Sequence, residues 1–237
     1  MANLPYDLDP AATPAPPMGL IVLQVDESLE PDLKRSFADL PNPLYITRIP
    51  SDPEVTADSL TSMKERITEV ASLLPQTRSY PVVGYGCTSA SAIIGSDKVS
   101  ELVQRGCPAK TVTNPLLAAT EYARHIGVSK IALLSPYIEE VNTPLRKAFA
   151  ASGLSTDVFG TFGEAEEAKV ARISNHSIVD AAAKLGGDPA VDAVFLSCTN
   201  LRTLDALPEI QERIGKPAFS SNQSLAWHMR KLTTETD

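Results

Sequence analysis

The stretch VVGYGCTSASAIIG, residues 82–95, runs from valines into a glycine turn, then a cysteine, then two hydroxyl side chains. A second stretch, VFLSCTNLRTLDAL at residues 194–207, repeats that grammar and brings Cys198 to the place that Cys87 holds in the first. Short apolar runs of β-branched and aromatic residues that stop at a turn read as buried strands. In open α/β sheets, ligands bind beyond the carboxyl ends of such strands. Cys87 and Cys198 both fall there. The residues after each read as a helix, so backbone N–H groups gather near each sulfur, a setting that attracts anions and lowers a thiol's pKa. Thr88 and Ser89, and likewise Thr199 and Asn200, add side-chain donors. Each element therefore reads as a cradle for a carboxylate beside a reactive sulfur. A lone cysteine is more often a small buried hydrophobe; two in matching contexts point to function. Cys107, in RGCPAK, has no such context and reads as a loop or core residue.

Outward from these elements, strands and helices alternate. GLIVLQV (19–25), LYITRI (44–49), YPVVGYG (80–86) and KTVTN (110–114) read as strands of a first round. TADSLTSMKERITEVASLL (56–74) carries apolar positions at helical spacing with Thr or Asp to cap its start, and PLLAATEYARHIG follows the fourth strand as a helix. KIALLSPY (130–137) opens a second round, which continues through STDVFGTF, VDAVFLSC (191–198) and KPAFSS, with helices between them and NQSLAWHMRKL as the last. LRTLDALPEIQERIG reads as one helix after Cys198. This alternation predicts parallel sheets built from βαβ units in two similar α/β lobes. No G-x-G-x-x-G fingerprint or P-loop accompanies the strands, which argues against a nucleotide enzyme.

The chain has 237 residues, enough for one large or two small domains. Its net charge is −8 and no basic cluster stands out, which disfavours a nucleic-acid partner. No apolar run approaches the roughly 18 residues that span a bilayer, so no membrane partner is expected. Residues 1–18, acidic and rich in Pro and Ala, read as a flexible lead-in without a signal peptide's basic start and apolar stretch. Three cysteines make no disulfide framework and carry no zinc spacing. A reducing, cytoplasmic setting and no metal follow as expectations.

GYGCTSAS and FLSCTNLRTLDAL resemble the paired cysteine motifs of the aspartate/glutamate racemase superfamily. The branch they resemble holds maleate cis-trans isomerases, arylmalonate decarboxylases and the racemase-like proteins of ectoine utilisation. The likeness extends to GLIVLQVDESLEPDL (19–33), LLSPY (133–137), EAKVARIS (167–174) and SSNQSLAWHM (220–229). It implies two Rossmann-like lobes about a pseudo-twofold axis, with the active site in the cleft and one cysteine from each lobe. It places residues 19–119 and 222–237 in the first lobe and 120–221 in the second. It also implies no cofactor, a homodimer or dimer of dimers, and a small carboxylate or amino-acid-derived substrate.

Two thiols facing one carbon suit racemisation: a thiolate removes the α-proton and a thiol delivers one from the far side. In isomerases of the branch the first cysteine instead attacks a double bond. Its decarboxylases keep only the second cysteine, so the presence of Cys87 argues against decarboxylation. Asp26 in LQVDESLEP is a departure, because maleate isomerases carry Asn in a PSSNT-like stretch. An ionised Asp only accepts hydrogen bonds, so it suits a substrate N–H and repels a second carboxylate. It equally suits capping the next helix. The ectoine branch carries such an Asp, and resemblance alone then suggests a 2,4-diaminobutyrate derivative. Tyr137 stands in the SPY-like position, where its phenol binds substrate or covers the lobe as an aromatic lid. Arg202 reads as a carboxylate partner or a surface residue. His125, His176 and His228 read as structural, and Trp227 and Met229 as core or subunit interface. The expectation is a cofactor-independent racemase or epimerase. The alternatives are a maleate-type isomerase, an arylmalonate-type decarboxylase and a non-catalytic small-ligand-binding protein.

Overall fold

A computed structural model describes residues 1–9 and 15–234. Four strands, β1 (Met18–Leu23), β2 (Leu44–Ile49), β3 (Tyr80–Gly86) and β4 (Ala109–Thr113), form the first sheet. Four more, β5 (Ile131–Tyr137), β6 (Phe159–Glu164), β7 (Ala193–Leu196) and β8 (Ala218–Ser220), form the second. All pairings are parallel, in the orders β2-β1-β3-β4 and β6-β5-β7-β8. The two sheets thus share one topology, and β3 and β7 are equivalent strands. A cysteine lies within two residues of the end of each, Cys87 after Gly86 and Cys198 after Leu196, which answers why the Cys-Thr grammar occurs twice.

The helices are α1 (Leu29–Ser36), α2 (Ala57–Ser62), α3 (Ile67–Ala71), α4 (Thr88–Ile94), α5 (Ser96–Gly106), α6 (Pro115–His125), α7 (Glu139–Ala151), α8 (Glu167–Val170), α9 (Asn175–Gly186), α10 (Leu207–Ile214) and α11 (Ser221–Thr234). The single helix expected over 56–74 is broken. Thr56 caps α2 in a reciprocal box with Ser59, and a 3-10 turn at Met63–Glu65 then separates α2 from α3. Two short pieces let Leu60, Met63, Ile67 and Val70 all reach the core. The lead-in is one residue shorter than expected, because Met18 is fully buried as the first residue of β1. Residues 10–14 of it lie outside the described residues.

The lobes exchange helices. α6 follows β4 of the first sheet, yet packs Leu116, Ala119 and Ala123 against Ile131, Leu133 and Phe195 of the second. α11 follows β8 of the second sheet, yet packs Leu225, Ala226 and Met229 against Met18, Leu20 and Val82 of the first. The two helices also meet: Tyr122 of α6 lies edge-on to Trp227 of α11 at 5.3 Å. The expected division at residues 119 and 120 therefore cuts through α6, whose Leu116, Ala119 and Ala123 join the second lobe's core. The chain changes lobes at Asn114, which caps α6 by accepting from the Leu117 N–H at 3.0 Å.

Met229 is fully buried, and its sulfur fills the space above Gly84 in the centre of β3. Met229→Ala should therefore lower unfolding stability by about 2–5 kcal/mol, the usual cost of truncating a buried methionine. Urea denaturation followed by circular dichroism measures the loss.

Candidate active site

Asp26, Cys87, Tyr137 and Cys198 are contributed by the carboxyl ends of β1, β3, β5 and β7, the two central strands of each sheet. The turns after β3 and β7 are tied together. The Thr88 and Ser221 hydroxyls lie 2.9 Å apart, and Ser221 Oγ also accepts from the Cys198 N–H at 3.1 Å. The Thr199 hydroxyl crosses to the carbonyl of Gly86 at 3.2 Å. Cys87 and Cys198 are 5% and 2% exposed, so both sulfurs lie inside a closed cleft.

The two cysteines are held differently. Cys87 caps α4, and its sulfur accepts from the Ala90 N–H at 3.3 Å, as a helix start after the cysteine leads one to expect. No such helix follows Cys198. The segment 199–206 turns irregularly and α10 begins only at Leu207. The chain instead doubles back sharply at Cys198, whose φ is 103°, a left-handed value that costs a non-glycine residue on the order of 1–3 kcal/mol. That turn aims the Asn200 N–H at the Cys198 sulfur, 3.2 Å away.

Sequence reasoning missed Glu167, the first residue of α8. It is 2% exposed, and its carboxylate accepts from the Tyr137 hydroxyl at 2.6 Å and the Asn200 amide at 2.7 Å. The same Tyr137 oxygen lies 2.9 Å from the Cys198 sulfur. Glu167 opens EAKVARIS, one of the stretches that carries the family resemblance, and that was its only signal. On sequence alone an acidic residue at a helix start reads as a dipole partner.

Asn200 is fully engaged. Its side-chain oxygen accepts from the Glu27 N–H at 2.8 Å, and its amide nitrogen donates to both the backbone and the carboxylate of Glu167. It ties the lobes together and has no donor left for a ligand. The Ser89 hydroxyl is buried without a hydrogen-bond partner among the described residues, so it is free to donate. Arg202 is exposed and donates to the Ile173 carbonyl at 3.3 Å. His125 and His176 are exposed, and His228 is buried 2.8 Å from the Thr113 hydroxyl. Cys107 is buried behind α5 with its sulfur on the Val103 carbonyl.

The two carboxylate oxygens of Asp26 are placed differently. Oδ1 accepts from the Ser28 and Leu29 N–H groups, each at 2.8 Å, and so caps α1. Oδ2 is buried without a hydrogen-bond donor among the described residues. Thr199 is near enough to bear on its charge, but the Thr199 hydroxyl is engaged with Gly86.

Electrostatics run against the expected thiol activation. Burial pushes the Cys87 thiol up to about 12, with Glu167 and Asp26 adding to the effect against the Ala90 N–H. Burial raises Cys198 well above its ordinary value, and the Glu167 charge raises it further, while Tyr137 and Asn200 oppose. Loss of hydration outweighs the few N–H groups that reach each sulfur. The Asp26 and Glu167 carboxyls are also raised, again by burial first.

The loop after β2 seals this cluster. The Val55 N–H donates to Ala165 O at 2.9 Å and the Glu167 N–H to Pro53 O at 3.0 Å, a strand-like clasp of one lobe on the other.

The arylmalonate decarboxylase family model matches residues 41–237. The chain belongs to that family. It is 28% identical to the arylmalonate decarboxylase of Bordetella bronchiseptica over 223 residues, 92% of this chain and 90% of that one. It is 23% identical to the maleate isomerase of Geobacillus stearothermophilus over 184 residues, 75% and 73% of the two chains. A liganded mutant of arylmalonate decarboxylase superposes with a TM-score of 0.81 at 25% identity, over 92% of this chain and 93% of that one. A mutant maleate cis-trans isomerase from Nocardia farcinica, with a covalently bound succinylcysteine intermediate, superposes with a TM-score of 0.82 at 19% identity, over 93% of both chains; at that identity the match concerns the fold. The superfamily branch and the two-sheet α/β architecture are those expected from the sequence.

Asp26 carries a linked prediction. Its folded pKa lies above the ordinary 3.8, so its charge penalises the folded state as pH rises through the folded value, and not below 3.8. Asp26→Asn keeps an oxygen for the α1 cap and removes the charge. The variant should be more stable than wild type at pH 7, with the difference vanishing near pH 4. Urea unfolding at both pH values measures it.

Proposed function

We propose that this chain is a cofactor-independent isomerase, a racemase or epimerase of a small amino-acid derivative, with Cys87 and Cys198 as its acid–base pair. One thiolate takes the α-proton, breaking C–H and forming S–H. The other thiol delivers its proton to the opposite face and becomes the thiolate. Ser89, with its unpartnered hydroxyl, is suited to the substrate carboxylate, where the carbanion's charge spreads. Thr88 supports it through Ser221, and Thr199 and Asn200 hold the cleft closed rather than contact substrate.

The observation that carries this reading is the unpaired Oδ2 of Asp26, buried beside the thiols together with Glu167. Two acceptor-only groups attract a substrate that brings N–H donors. They repel one that brings a second carboxylate. Family resemblance narrows the class to derivatives of 2,4-diaminobutyrate, whose amines fit such a site.

The second reading is maleate-type cis-trans isomerisation, favoured by the maleate isomerases among the relatives. There Cys87 would add to the double bond, the central bond would rotate and the adduct would collapse. Both readings are isomerase chemistry without a cofactor.

Asp26→Asn separates them. The variant should bind 2,4-diaminobutyrate more weakly and maleate more tightly, with a lost charge-assisted hydrogen bond worth about 10- to 150-fold in affinity. Calorimetric titration of both ligands into both proteins decides it, and unchanged preference removes the racemase reading.

The thiol pair is tested by α-proton exchange into deuterated water. Cys87→Ser should suppress exchange from one enantiomer of the amino-acid derivative far more than from the other, and Cys198→Ser should show the opposite bias. Full exchange from both enantiomers in both variants would exclude a two-thiol mechanism.

A further inference from the structure

Tyr137 stands between two groups that the thiol chemistry alone does not explain. Its hydroxyl donates to Glu167 Oε1 at 2.6 Å and lies 2.9 Å from the Cys198 sulfur. All three side chains are almost fully buried. Among the described residues Cys87 has no such pair of neighbours, and its sulfur accepts from the Ala90 N–H.

We infer that Cys198, Tyr137 and Glu167 form a proton relay that makes the Cys198 thiolate by storing its proton on Glu167. The Cys198 S–H bond breaks as its proton passes to the Tyr137 oxygen. The Tyr137 O–H bond breaks in the same event as that proton passes to the Glu167 carboxylate. The phenol is unchanged, and the site holds a thiolate and a carboxylic acid in place of a thiol and a carboxylate. Net charge inside the cleft stays constant, which matters because burial opposes any added charge there. After Cys198 takes the α-proton and Cys87 delivers one, opening to water lets Glu167 release its proton and Cys87 regain one.

Glu167 acts through Tyr137 and is a positioning residue; it need not touch substrate. The ionisable groups facing it are Tyr137 from β5, Cys198 after β7, Cys87 after β3 and Asp26 after β1. Lys169, Glu166 and Glu164 surround the outer end of α8 and are exposed or half-exposed. Arg48 lies on the far side of Asp26, bonded to the Asp26 carbonyl at 3.0 Å.

The relay rests on the reading of Cys198 as a reacting thiol, but its test needs no substrate, so the two can fail separately. Iodoacetamide alkylation is followed at Cys87, Cys107 and Cys198 by peptide mass spectrometry. Glu167→Gln removes the proton store. If Glu167 acts only through its charge, the change lowers the cost of a thiolate, and alkylation at Cys198 and Cys87 speeds up. The relay requires the opposite: Cys198 slows by about tenfold or more while Cys87 does not slow, and Glu167→Asp restores part of the rate. Faster or unchanged Cys198 alkylation overturns the relay, and so does an equal fall at both cysteines, which marks lost access. Wild-type protein provides a second measurement should Glu167→Gln fail to fold. An internal transfer leaves the Cys198 rate flat between pH 7 and 8.5, whereas a thiol that loses its proton to water speeds up about tenfold per pH unit below its pKa. A tenfold rise per unit at Cys198 would overturn the relay on its own.

Discussion

The Asn200 side chain joins the two halves of this molecule, and the chemistry of the cleft depends on that join. Its oxygen takes the Glu27 N–H from the first lobe, and its nitrogen gives to Glu167 in the second. The Ser28 hydroxyl donates to the Asn200 carbonyl at 2.9 Å, and Thr199 reaches Gly86. With these bonds made, water is excluded from the carboxyl ends of the central strands. Charge there becomes costly. Burial lifts both thiols and both carboxyls together.

That environment explains why four ionisable groups share so small a space. Each charge alone would destabilise the fold, and none is needed to hold the core, which already has two packed sheets and fully buried Phe149, Phe195, Tyr85 and Met18. The strained turn at Cys198 carries the same message, since a glycine would take φ 103° without cost. Strain, buried acid and an unpaired carboxylate oxygen converge on one cleft, as they do where structure is spent on function.

The helix exchange supplies the rigidity. A cleft between two independent lobes would be free to swing. Here α6 and α11 each belong by packing to the lobe they do not follow in sequence. The aromatic contact between Tyr122 and Trp227 ties the two crossings to each other. The loop after β2 adds a backbone clasp on residues 165–167.

Much of this was legible in the sequence. Alternating apolar strands and amphipathic helices determined the parallel α/β class, because period and composition fix local structure and βαβ units pair in parallel. Two Cys-Thr strand ends marked Cys87 and Cys198, because strand ends are where such sheets bind ligands. Tertiary structure decided the rest. A helix was expected directly after Cys198, yet Thr199 and Asn200 spend their hydrogen bonds across the cleft and the helix waits until Leu207. Lowered thiol pKa values were expected from local N–H groups, yet closure strips the sulfurs of water, a cost no local pattern reports. Glu167 stayed hidden for the same reason. Its partners Tyr137 and Asn200 lie 30 and 33 residues away in sequence, and only the fold that brings the start of α8 to them makes an ordinary helix-start glutamate the buried neighbour of a thiol.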